Sequence, residues 1–332
     1  MCWRNVAVMR NKIITALIGL PVLCVVFIAL WSLLKPRHLL PLATGTCLNA
    51  EITETDSLLA VGYNRTLYEF KGPAYSDPSV LYTAQSRLIS VGSLRNSPIK
   101  IVVGDRDGWL YFPGTHVDPI QVSGGMVLAC AIISEKGSSR ATIVAAGHDG
   151  IQDYGWGGNV CILSYQNKAV EIRKNYKFEW TPNNLCIARK SKALIVGCER
   201  NEFVHISLNT DQRQTIRVKG GTDQCVLSHD ESLLAIVEYQ SVSVRRVSHL
   251  EKVIARIEVS GNYSRICWHP TEPDVLIIAE PEAGIKLLNV SNNGVQFVEN
   301  TDFVRPVLIW MPKEQKSAYI LDRDWSLVNI QL

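Results

Sequence analysis

No Asp or Glu occurs in the first 35 residues, no CxxC pair occurs among the nine cysteines, and no long helical period follows Pro36. Each lack excludes something. Without CxxC spacing, and with most cysteines set inside apolar strand-like runs, a zinc site is not expected. Without a helical period of 3.6, the body of the chain reads as strands. The missing early acids leave Arg4, Arg10, Lys12 and Lys35 uncompensated. Removing these four from the 34 basic residues leaves 30 against 31 acids, a net charge of −1. A body so nearly neutral offers no broad field for nucleic acid, which is not expected as a partner. There is also no nucleophile-elbow motif to mark a hydrolase.

What the early segment does have is an apolar run. Ile13 to Leu34, IITALIGLPVLCVVFIALWSLL, carries no charge over 22 residues, with basic residues on both sides. As a helix it would be roughly 33 Å long at about 1.5 Å per residue, against a hydrocarbon core of about 30 Å. Pro21 is compatible with such a helix, and Trp31 suits its interface. The run exceeds the 7–15 residues of a signal h-region, and no small-x-small site follows it. A retained single-pass anchor is therefore expected, with a cleaved leader as the competitor. The chain divides into a basic tail (1–12), a transmembrane α-helix (13–34), a short linker (35–38) and a body (39–332), with membrane lipid met through residues 13–34.

Three basic side chains before the helix, against Lys35 and Arg37 behind it, favour a cytoplasmic N-terminus and a body on the non-cytoplasmic side. Seven cysteines lie in the body, an odd number that cannot all pair. Free thiols fit a reducing compartment, but thiols within apolar strands act simply as small hydrophobes. The matches at Asn64, Asn262 and Asn289 to the glycosylation pattern do not fix the side.

Beyond Pro36 one unit recurs: an apolar strand, a turn through Gly, Asp or Asn, then another strand. Its markers are Ala60, Val103, Ala145, Val196, Ala235, Ile278 and Ile320, at intervals of 43, 42, 51, 39, 43 and 42. Seven markers at about 43 residues match the length of a four-stranded propeller blade. The best-preserved unit runs Arg265–Pro270, Asp274–Ala279, Gly284–Val290 and Val295–Val298. The preceding one repeats it as Gln224–Asp230, Ser232–Val237 and Val242–Val247. In period and strand grammar, residues 38–332 resemble a divergent WD-repeat seven-bladed β-propeller family. The family's terminal Trp-Asp pair is replaced by Leu288-Asn289 and Arg246-Val247, and its Gly-His pair before a blade is absent. The expected fold is all-β.

The seventh unit shows three strands: Val307–Trp310, Ala318–Leu321 and Ser326–Ile330. An unassigned extended piece, Leu39–Thr44, precedes the first. If that piece supplies the outer strand, the ring closes without an exposed edge. Pro41 is tolerable on an outermost strand. The four-residue linker spans at most about 14 Å, so the ring should lie close to the bilayer.

Candidate contact residues fall in turns after the second strands. The 51-residue interval contains Gly147–Gly158, with His148, Asp149, Tyr154 and Trp156 among five glycines. Large aromatic surfaces on a scaffolded loop suit partner contact. Asp105-Arg106-Asp107-Gly108 and Asp322-Arg323-Asp324-Trp325 occupy comparable turns. The resemblance puts these turns on the rim that also carries the blade-to-blade connections. Asp is also a turn former in its own right, and calcium-loop spacing is lacking. No catalytic residues, cofactor or metal are assigned. The function expected is a membrane-anchored interaction scaffold or accessory subunit of a membrane complex, with one or more protein subunits as partners. An enzyme with its site in the propeller channel, and a surface receptor for a small ligand or glycan, are the alternatives.

Overall fold

The computed structural model describes residues 38–39, 46–72, 75, 78–134, 137–148, 157–259, 263–281, 283–299, 303 and 305–332. The apolar run 13–34 lies outside them. Among the described residues no helix is long and apolar enough to cross a membrane. Everything regular that is described is β-strand.

Seven antiparallel four-stranded sheets form a propeller. Each blade starts with an inner strand: Cys47–Ile52, Leu88–Ser93, Val127–Ile133, Pro182–Ala188, Thr222–Leu227, Arg265–Trp268 and Pro306–Trp310. All seven sequence markers fall in the second strands, Leu58–Gly62, Ile101–Asp105, Ala141–His148, Ala193–Cys198, Leu233–Glu238, Val275–Glu280 and Ser317–Asp322. These are the most apolar strands because each is flanked within its own sheet and covered on both faces by neighbouring blades. Ala193–Cys198, Leu233–Glu238 and Val275–Glu280 are buried at every position.

Blade 7 is completed from the other end of the chain. Its sheet order is His38–Leu39, Ser326–Gln331, Ser317–Asp322, Pro306–Trp310. The closing strand thus includes His38, which the sequence assigned to the linker. Residues 40–45 of the expected strand lie outside the described residues. Strand pairing depends on backbone groups, so the hydropathy pattern did not mark where it begins.

Neighbouring inner strands are laced at about the repeat spacing. Asn184 Oδ1 accepts from the Cys225 N–H at 2.9 Å, and Gln224 Oε1 accepts from Ile266 N–H at 2.8 Å. Arg265 Nε donates to the Val307 carbonyl at 3.1 Å. Side chains here satisfy backbone groups that face the axis, where no further strand can pair with them.

The contacts between blades are apolar but differ in kind. Blades 5 and 6 share an aliphatic cluster of Val237, Val244, Leu276, Ile278 and Leu288, joined by Trp268. Blades 7 and 1 share Tyr68, Phe70, Tyr75, Trp310, Tyr319 and Trp325. Trp310 stacks on Tyr319 with ring centroids 5.4 Å apart, and Tyr75 meets both edge-on at 5.5 and 5.6 Å. The Trp310 indole N–H donates to Tyr75 Oη at 3.2 Å.

Candidate functional site

The turns after the second strands are tied to the connections between blades, which places both on one rim. The Arg106 N–H donates to the Arg87 carbonyl at 2.9 Å and the Val122 N–H to Gly108 at 2.9 Å. In blade 3, His148 N–H donates to Met126 at 3.1 Å. In blade 7, Arg323 N–H donates to Arg305 at 3.1 Å. The rim is stitched rather than loose.

Within it, the candidate aspartates separate into two kinds. Asp105 is buried and its carboxylate accepts from the N–H groups of Asp107 and Trp109 at 2.9 and 2.8 Å, and from Tyr111 Oη at 2.8 Å. Burial raises its pKa, and these donors pull it back. Asp322 is likewise buried and accepts from the N–H groups of Arg305 and Arg323 at 2.9 and 2.7 Å. Both carboxylates organise their turns. Asp107 and Asp324 are exposed. Asp324 also binds its own turn, accepting from the N–H and hydroxyl of Ser326 at 2.9 and 2.6 Å. Asp107 stands beside exposed Arg106 and the partly exposed Trp109.

The fourth residue of each turn takes a left-handed backbone, Gly108 at φ 89° and Trp325 at φ 69°. Glycine does this without strain, and a Cβ at Gly108 would stand 2.1 Å from the Ser123 carbonyl oxygen. In blade 7 the same turn carries an indole instead. Trp325 is 1% exposed and its ring lies edge-on to Tyr68 at 5.9 Å, inside the seam with blade 1. Its side chain therefore does not face outward from the rim.

His148 is half-buried, its backbone carbonyl accepting from the Ser123 hydroxyl, and its buried Nδ1 has no hydrogen-bond partner among the described residues. Asp149, Tyr154 and Trp156 lie outside the described residues.

Sequence reading missed a further set of acids at the ends of second strands. Glu238 ends its strand in blade 5 at 1% exposure, and Glu280 ends its strand in blade 6 at 1%. Arg245 Nη2 lies 3.3 Å and Arg256 Nη2 2.6 Å from the Glu238 carboxylate, which also accepts from the Ser243 hydroxyl. Lys286 pairs with Glu280. The available signal was a lone acid closing an apolar run, as in Leu233–Glu238 and Val275–Glu280. A fully buried charge requires such partners, so these groups are structural cross-links between strands.

The axis carries charge at both ends. Where inner strands begin, burial raises the Asp223 pKa while Arg265 opposes the rise; burial lowers that of Arg265 while Asp223 opposes the fall. Where they finish, Glu51 of blade 1 faces a cavity also lined by Ser93, Arg189 and His229. Burial pushes the Glu51 carboxyl up to about 8, against hydrogen bonding from Ser93 and the charge of Arg189. Arg189 Nη1 stands 3.8 Å from Glu54 Oε1, linking blade 4 to the first turn of blade 1.

The seven body cysteines are free thiols, buried or half-buried. Burial pushes Cys130, Cys186, Cys198 and Cys267 up to about 12. They are poor nucleophiles and behave as small apolar side chains. Among the described residues, no three His, Cys, Asp or Glu side chains gather as a metal site. No family sequence model matches the chain, and no curated protein matches it in sequence.

Proposed function

We propose that the chain is a membrane-anchored interaction scaffold or accessory subunit, with residues 13–34 in the bilayer and the propeller on the non-cytoplasmic side. The observation that carries the binding part of this reading is the rim. Its turns are fixed by backbone hydrogen bonds to the blade connections, so side chains projecting from it hold defined positions before a partner arrives. Pre-ordering of this kind lowers the entropy lost on association. Arg106, Asp107, Trp109 and Asp324 offer charge and an aromatic surface there. The glycine-rich insertion with Tyr154 and Trp156 starts from the same rim at His148.

Membrane attachment is supported by the uncharged length of Ile13–Leu34 and its basic flanks. Free cysteines do not oppose a non-cytoplasmic body, because thiols packed among apolar side chains are shielded from oxidants as well as from one another. The role is binding rather than turnover.

The test uses the full chain isolated in mild detergent with its associated subunits. Replacing Tyr154 and Trp156 together by Ala should strip a co-purifying protein at least about tenfold while the cooperative unfolding midpoint stays put. Unchanged retention of every associated subunit would sink the interface assignment. Protease treatment of sealed vesicles should leave the propeller intact when the lumen corresponds to the non-cytoplasmic side. Digestion from the cytoplasmic side would reverse the orientation.

A further inference from the structure

Four blades carry a bulge between their third and fourth strands, where one outer-strand residue has no partner across the sheet: Leu81, Arg173, Ile254 or Val298. Three of these are aliphatic and pack into the seam with the next blade. Leu81 joins the cluster between blades 1 and 2, Ile254 that between 5 and 6, and Val298 that between 6 and 7. Blade 3 has Arg173 instead, and there the seam with blade 4 opens into a cavity of about 750 Å³. That size falls within the roughly 300–1,000 Å³ of small-molecule sites.

A regular strand would turn consecutive side chains to opposite faces, but the bulge sets both Arg173 and Lys174 on the cavity wall. Arg140 of blade 3, with Arg189 and Lys192 of blade 4, brings the cations to five. No Asp or Glu lines the cavity among the described residues. Three of the cations are paired from outside the lining: Arg173 with Glu171, Lys174 with Asp211 and Arg189 with Glu54. Five positive charges less three negative leave a surplus of two. The paired side chains are 41–62% exposed. Ion pairs so open to water contribute little, and they yield to a better anion. Ser164 accepts from Arg173 Nε at 2.6 Å and Ser138 from the Arg140 N–H at 3.0 Å, which leaves both hydroxyl protons to donate.

We propose that this cavity binds the head of a phosphate monoester, held by Arg140, Arg173 and Lys174, with its organic stem against Ile162, Ile187 and Leu208. A monoester carries a charge of about −1.5 to −2 near neutral pH, matching the surplus, whereas a carboxylate supplies only one. Guanidinium forks meet phosphate oxygens two at a time. Such a head comes from a soluble phosphorylated compound or from phosphatidic acid in a membrane, and both present the same group. The cavity lies where inner strands finish, on the face away from the rim. It depends on neither the rim nor the anchor proposed above.

Calorimetric titration of the full chain in detergent tests the assignment, with butyl phosphate and dihexanoyl phosphatidic acid as probes. Butanesulfonate, a monoanion with the same stem, and dihexanoyl phosphatidylcholine are the matched controls. A phosphate monoester should bind saturably and about tenfold tighter than its control, and the tighter probe identifies the source. Arg173→Leu gives blade 3 the kind of residue that the other bulges carry. It should weaken binding about tenfold or more and leave the unfolding midpoint in place. Arg140→Gln, at an exposed position, should weaken binding too and gives an independent reading if Arg173→Leu does not fold. Asp211→Asn should leave binding unchanged or tighten it by releasing Lys174. No saturable binding of either phosphate, controls that bind as well as the phosphates, or affinity indifferent to both Arg173→Leu and Arg140→Gln would overturn the assignment.

Discussion

The seam between blades 7 and 1 and the seam between blades 5 and 6 meet the same geometric demand with different side chains. Successive portions of the chain build blades 5 and 6, and aliphatic residues such as Val237, Leu276 and Ile278 fill the space between them. Blade 7 is assembled from opposite ends of the described chain, and there the filling is aromatic. Aromatic pairs contribute about 0.5–1.5 kcal/mol beyond the area they bury, and their edge-to-face geometry restricts how two sheets meet. At 5.4–5.6 Å, the Tyr75, Trp310 and Tyr319 rings form one such set. The difference teaches that the seam joining the two ends relies on fewer, larger and more directional contacts.

The contrast can be broken most severely at Trp325. Trp325→Ala removes a ring at 1% exposure and should cost about 3–5 kcal/mol in denaturant unfolding. Leu276→Ala, fully buried at the aliphatic seam, should cost about 2–5 kcal/mol. If the ends are held chiefly by aromatics, the tryptophan variant should also expose the blade 7 amides to hydrogen exchange ahead of global unfolding, and the leucine variant should not. Equal protection in both would remove the distinction.

Gly62 gives a smaller perturbation of the same place. A Cβ there would stand 2.7 Å from Trp325 Cζ2 and 2.8 Å from the Thr46 carbonyl oxygen. Gly62→Ala should cost about 1–3 kcal/mol by overpacking. Its cost in a Trp325→Ala background should be smaller, a non-additivity read by a double-mutant cycle on unfolding midpoints. Tyr75→Phe keeps the ring and deletes the acceptor of the Trp310 indole, with an expected loss of about 1–3 kcal/mol.

A change of pH leaves both seams alone. The folded state raises Glu51 from the ordinary 4.5 to about 8, so it retains a proton that the unfolded chain releases. That contribution to stability is fully present below pH 4.5 and is lost as pH rises through about 8. The parent chain should therefore lose stability across this window relative to Glu51→Gln, measured by unfolding midpoint against pH. Parallel profiles would show that Glu51 does not titrate in this way.

Much of the fold was legible because hydrophobic periodicity is a local property. Leu58–Ala60, Leu233–Ala235 and Leu276–Ile278 announce themselves as second strands through uninterrupted apolar character. Trp325 was legible as part of a turn but not as part of a seam. Its burial depends on a left-handed backbone and on space left by Gly62, which lies far away in sequence. Asp105 and Asp107 look equivalent in the string, yet one accepts three hydrogen bonds inside the blade and the other meets solvent. Glu51 drew no notice, since a single acid in Cys47–Ile52 fits an alternating strand. Only closure of the ring brings residues from blades 3, 4 and 5 around it.

Pairing His38–Leu39 with Ser326–Gln331 also sets an order of events during synthesis. The first partner emerges nearly three hundred residues ahead of the second, a wait of roughly 15–60 s at about 5–20 residues per second. Six blades can be complete on the ribosome while the earliest strand still has no mate. The nascent circle stays open until the last segment arrives, and the final sheet locks both ends at once.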